Sequence, residues 1–101
     1  MGRREKLLQR LSTLPTDFTW REMEALLRAL GCVKEQGNGS RSKFVFWGTT
    51  GRIFLYMHKP HPSSILDRGR VEALADFVRI VLEASQDEKQ HGSQHTENIN
   101  I

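Results

Sequence analysis

Acidic residues are missing from the middle of this chain. Between Gln36 and Leu66 there is no Asp or Glu, although the sequence carries 12 acidic residues in all. A paired-carboxylate mechanism is therefore excluded from that stretch, and the cations it holds have no local counter-charge. Cysteine is equally scarce. Cys32 stands alone, which excludes an internal disulfide and a cysteine-based zinc site. Placed after Gly31 at the start of an apolar stretch, it reads as a small buried residue rather than a nucleophile. No apolar run approaches the ~18 residues of a membrane span. Gln9 and Arg10 break the apolar stretch that follows the basic opening, so no secretory leader is expected, and the protein is expected to be cytoplasmic. Gly37-Asn38-Gly39 is not followed by a helix and so is no phosphate loop, and no Ser–His–Asp constellation is suggested.

What remains fits one small domain and a tail. At 101 residues the chain can bury roughly 60–70 % of its unfolded surface, enough for one two-layer core. A formal charge of +3 and a pI near 9.4 permit a polyanionic partner without demanding one. The domain is expected over residues 1–85. From Gln86 the sequence is polar and aperiodic, and 86–101 is expected to be a disordered tail. His91 and His95 lie there four apart, but Gly92 and Ser93 argue against a helix presenting both to a metal. No metal site and no cofactor are expected.

The order of elements follows from periodicity and punctuation. Leu7, Leu8, Leu11 and Leu14 recur at helical spacing, and Pro15 closes that segment. Thr19 and Glu22 form a capping box, Phe18 and Met23 a hydrophobic staple, and Met23, Leu26, Leu27 and Leu30 one apolar stripe. Gly31 supplies the stop, giving a helix over 19–30. Residues 32–36 make a short strand, and 37–40 have turn chemistry. Two further strands, 41–47 and 52–58, are joined as a hairpin through 48–51. Pro60 and Pro62 end the last strand. Asp67 caps a final helix that buries Val71, Leu74, Ala75, Val78, Val81 and Leu82, with Phe77 and Ile80 widening the face. The expected fold is α+β: an α–β–β–β–α unit, with a three-stranded antiparallel sheet and helices on one face, preceded by an extra helix. This order resembles the double-stranded-RNA-binding domain (dsRBD).

A sheet covered on one side leaves the other free. Counting in twos assigns Phe44, Phe46, Ile53, Leu55 and Met57 to the core. Arg41, Lys43, Trp47, Arg52, Phe54, Tyr56 and His58 then share the open face. Cations neutralise phosphates and aromatic rings stack on unpaired bases, so Arg41, Lys43, Trp47, Arg52, Tyr56 and the following Lys59 are candidate RNA-binding residues. The same rings also suit a protein interface, with a partner or with a second copy in a homo-oligomer.

The strand exit His58-Lys59-Pro60-His61-Pro62 holds the acid–base groups of the folded region. Cleaving RNA without a metal needs a base for the 2′-OH, an acid for the leaving 5′-oxygen and a cation at the charged intermediate. Histidine serves the first two near neutral pH. His58 and His61 are the catalytic candidates, with Arg41, Lys43 or Lys59 to stabilise charge. The competing reading of His61, set between two prolines, is a loop residue bonded to backbone.

These elements together resemble a known family. Gly39-Ser40-Arg41-Ser42-Lys43-Phe44, a strand ending His58-Lys59-Pro60-His61-Pro62 and a capped last helix are similar to the HicA-type toxins of bacterial toxin–antitoxin pairs. Leu14-Pro15-Thr16-Asp17-Phe18-Thr19-Trp20 ahead of a leucine-striped helix resembles a longer branch of that family, and the likeness runs over about residues 5–83. It implies a small dsRBD-like endoribonuclease that cuts mRNA without metal and is held by a HicB-type antitoxin. The family's catalytic histidine follows the Gly-Ser element. Here Arg41 or Ser42 stands in that place, which adds both to the site candidates and leaves binding without cleavage as the alternative function.

Overall fold

The start of the second helix shows how local chemistry builds this fold. In the computed structural model, which describes residues 2–36, 41–49 and 51–90, Thr19 Oγ1 accepts the Glu22 N–H at 3.1 Å. Glu22 Oε1 in turn accepts the Thr19 N–H at 3.0 Å. This reciprocal pair satisfies backbone donors that a helix start otherwise leaves open. Phe18 and Met23, the two halves of the staple, are both 0 % exposed. At the other end the Cys32 N–H reaches the Leu27 carbonyl at 2.9 Å and the Gly31 N–H that of Arg28 at 3.0 Å. Those bonds define a Schellman stop, and Gly31 adopts the φ of 93° that it requires.

Among the described residues the elements are α1 (Arg3–Ser12), α2 (Trp20–Ala29), β1 (Val33–Gln36), β2 (Arg41–Gly48), β3 (Gly51–His58) and α3 (Arg68–Gln90). The strands form one antiparallel sheet in the order β1-β2-β3. Val33 pairs with Val45 and Gln36 with Ser42, while Arg41 pairs with His58 and Gly48 with Gly51. Gly51 closes the hairpin at φ 146°, a conformation open to glycine and strained for other residues. The α+β order with an added N-terminal helix is the one expected, and the layout is consistent with the dsRBD-like arrangement.

The helices share one face of the sheet. Along β3, Ile53, Leu55 and Met57 are buried while Arg52, Phe54, Tyr56 and His58 are exposed. Phe44 and Phe46 of β2 join the same core, and Trp20 of α2 packs on Phe44 with ring centroids 6.1 Å apart. Val71, Leu74, Phe77, Val78 and Val81 of α3 complete it, with Ala75, Ile80 and Leu82 only partly buried beside them. Leu7 and Leu11 bring α1 into the core. Arg10 locks that helix to α2, spanning Glu22 at 3.0 Å and Asp17 at 3.4 Å while its guanidinium lies 5.2 Å from the Phe18 ring centre.

Two boundaries differ from the expected ones by more than a residue. Leu14 is not part of α1, which ends at Ser12; Leu14 sits at φ 52°. Pro15 disfavours the helical region for the residue before it, so the stripe overruns the helix. At the other end α3 continues to Gln90, five residues into the segment expected as tail. Gln, Glu and Lys propagate a helix well, and the first breaker is Gly92. The turn expected at 37–40 and the tail pair His91 and His95 lie outside the described residues.

The connection from β3 to α3 is tied to the start of α2. The Trp20 N–H donates to the Ser64 carbonyl and the Leu66 N–H to that of Phe18, both at 2.8 Å. Thr19 and Ile65 form an isolated bridge between them. Asp67 caps α3, accepting the Arg70 N–H at 2.9 Å. The strand exit that carries both candidate histidines is thereby held against two helix starts.

Candidate nucleic-acid interface

The open sheet face is an alternating array of cations and rings. Arg52 lies over Trp47 at 5.1 Å and over Phe54 at 5.2 Å from the ring centres. Lys43 sits 4.6 Å above Phe54 and 5.8 Å from Tyr56, and Arg41 lies 4.6 Å over Tyr56. Phe54 and Tyr56 are stacked side by side, 6.2 Å apart and 23° from parallel. Trp47 is 59 % exposed, Tyr56 49 % and Phe54 38 %. Each cation–ring contact at such a site is worth about 0.5–1 kcal/mol. The contacts hold positive charge close to the face instead of letting it trail into solvent.

Register explains the array. Lys43 pairs with Tyr56, Val45 with Phe54 and Trp47 with Arg52, so every cation meets a ring directly across or on the diagonal. Val45 lies in the centre of this face and is nevertheless 0 % exposed, because Val33 and Phe54 flank it across the sheet. One carboxylate enters the face. Glu35, brought beside Lys43 by strand pairing, reaches it at 3.4 Å. Partly exposed ion pairs of this kind contribute at most about 1 kcal/mol, and Arg41 and Arg52 keep the face positive. Glu35 lies just outside the acid-free stretch, so only the β1–β2 register places it here.

The candidates from the sequence separate into groups. Arg41 and His58 are register partners at one end of the sheet. Arg70 joins them: its Nε donates to the His58 carbonyl at 2.9 Å, and its Nη1 is held by Asp67 at 2.8 Å. Sequence reading missed Arg70; the available signal was its position three residues after the capping Asp67. Lys59 follows directly and is exposed. Ser42 is half-buried and lies on the helix side of β2, opposite Met57, so it does not share a face with His58. His61 is exposed in the connection beyond the strand. Lys43, Trp47, Arg52 and Tyr56 form the array described above.

Two other titratable groups have resolved environments. Burial pushes the Cys32 thiol up to about 12, so it stays protonated at neutral pH and serves as packing. Burial would raise the Glu24 carboxyl, but Lys34 at 2.7 Å, the Trp20 indole N–H at 3.1 Å and the charge of Lys59 hold it below its ordinary value. Among the described residues no three His, Cys, Asp or Glu side chains converge as a metal-ligand group would. No described helix is long and apolar enough to cross a membrane.

Compared with known families, residues 20–80 match the family described as HicA toxin of bacterial toxin-antitoxin. Neither the curated proteins nor the solved structures yield a match. The matched span runs from the start of α2 into α3 and contains the whole open face, the strand exit and the Arg41–His58 pair. α1 lies outside it.

Proposed function

The chain belongs to the HicA toxin family, and from that membership we propose that it is the RNA-cleaving toxin of a toxin–antitoxin pair, acting on mRNA and held by a HicB-type antitoxin. The observation that carries the reading is the cation–ring array on the open face, which ends at the Arg41–His58 pair. Rings accept unpaired bases, cations neutralise phosphates, and the exit supplies acid–base groups where the strand leaves the face.

The chemistry follows from these groups. His58 takes the proton of a ribose 2′-OH, whose oxygen bonds to the adjacent phosphorus as the bond to the 5′-oxygen breaks. The departing oxygen receives a proton from a second acid, for which His61 is the candidate. Arg41 and Lys59 stabilise the charge that gathers on the phosphate oxygens. Ser42, on the helix side, has no part in this scheme. A long mRNA incubated with the protein in EDTA tests it. Cleavage is expected to fall at least ~100-fold in His58→Ala and more moderately in His61→Ala. Undiminished cleavage in both variants removes the two histidines from the mechanism.

A second reading, binding without cleavage, is favoured by one observation: β2 carries no histidine, and Arg41 stands opposite His58 where a second one would complete a pair. Wild-type protein that binds RNA but leaves it intact in the same assay selects this reading.

A further inference from the structure

We propose that the cleft between the start of α2 and the β3–α3 connection is a second RNA-anchoring site, which holds a backbone phosphate of the strand as it passes His58 and leaves the open face. The inference rests on the open face being the RNA-binding surface. A cavity of about 430 Å³ lies here, lined by Thr19, Trp20, Arg21, Glu24, Lys59 and Ser64. Its walls are fixed by the Thr19–Ile65 bridge and the bond from the Trp20 N–H to the Ser64 carbonyl. Lys59 links it to the face, since it lines the cleft and directly follows His58 at the end of β3.

The charge of the cleft is available to an anion. Arg21 is exposed and makes no side-chain ion pair or hydrogen bond among the described residues. The one carboxylate among the lining residues, Glu24, is hydrogen-bonded by Lys34 and the Trp20 indole and also feels the charge of Lys59, so Arg21 is the cation left to a ligand, with Lys59 shared between the ligand and Glu24. The lining also distinguishes between polymers. Protein interfaces place exposed apolar and aromatic groups at their centre, whereas Trp20, the only apolar side chain lining this cleft among the described residues, is 4 % exposed. A polar, cationic cleft beside an aromatic face suits a sugar–phosphate chain.

The test uses fluorescence anisotropy with labelled single-stranded oligoribonucleotides of 4 and 12 nucleotides and the full-length protein. Arg21→Gln and Lys59→Gln are expected each to weaken 12-mer binding about fivefold at roughly 0.1 M salt and to lower the salt slope by about 0.7. The 4-mer, too short to occupy face and cleft together, is expected to change much less in Arg21→Gln, whereas Lys59, which also serves the phosphate beside His58, affects both lengths. Trp47→Ala, on the face itself, is expected to weaken both lengths. If Trp47→Ala acts but the 12-mer and its slope ignore Arg21→Gln and Lys59→Gln, the cleft assignment is overturned while the face stands. If wild-type protein binds neither length, both fall. Tighter binding of a poly-glutamate peptide than of RNA of equal charge, lost in Arg21→Gln, would give the cleft to an acidic protein segment and overturn the proposal.

Discussion

The two faces of the sheet carry similar hydrophobic bulk and use it differently. On the helix side, Phe44, Phe46, Ile53, Leu55 and Met57 are all at most 9 % exposed, and apolar atoms surround them. On the open side, Trp47, Phe54 and Tyr56 are between 38 % and 59 % exposed, and every ring has a cation over it. What separates the core face from the open face here is the residue interleaved between the aromatics. Apolar neighbours draw helices down onto one side; Arg41, Lys43 and Arg52 keep them off the other. A strand such as β3 serves both by alternation alone, and a cluster of exposed rings of this kind fits the interaction surface proposed above.

The contrast can be broken most forcefully on its buried side. Phe44→Ala is expected to cost about 3–5 kcal/mol in urea unfolding, while Trp47→Ala, its open-face counterpart, shifts stability by less than about 1 kcal/mol. Equal losses at both positions would show that the open face is structural. Next in size, Trp47→Ala and Tyr56→Ala are each expected to weaken single-stranded RNA binding by about 1–3 kcal/mol, the worth of one stacked base. A titration that leaves affinity unchanged would remove the rings from recognition. Thr19→Ala loosens only the helical layer and is expected to lower stability by about 1 kcal/mol through loss of the capping box, read as a fall in the urea midpoint.

The smallest effect concerns pH. Glu24 titrates below its ordinary value of 4.5, so the stability it contributes is present above that value and fades as pH falls through the lower folded one. Unfolding free energies at pH 7 and pH 3 should therefore differ more in wild type than in Glu24→Gln, by less than about 1 kcal/mol. A pH dependence identical in the two proteins would mean that Lys34 and Trp20 do not hold the carboxylate in solution.

Much of this organisation is written locally. Thr19, Glu22 and Gly31 announce α2 by side-chain chemistry that acts within a turn, and the β3 alternation assigns faces without knowledge of the fold. The parts that could not be read depend on contacts distant in sequence. Glu35 reaches the open face only through the β1–β2 register. Arg70 reaches the His58 carbonyl only because the connection folds back against α2. Leu14 and the reach of α3 mark the opposite limit. Apolar spacing runs past the proline-imposed end of α1, and polar composition conceals a helix that needs no apolar face to continue.

The most direct test of the central claim, that RNA lies on the open face, is photo-crosslinking. A single-stranded RNA containing 4-thiouridine, irradiated with the full-length protein and mapped by mass spectrometry, is expected to attach to residues of β2 and β3, with Trp47, Phe54 and Tyr56 foremost. Crosslinks confined to α1 and the outer surface of α3, with none between Arg41 and His58, would contradict the account.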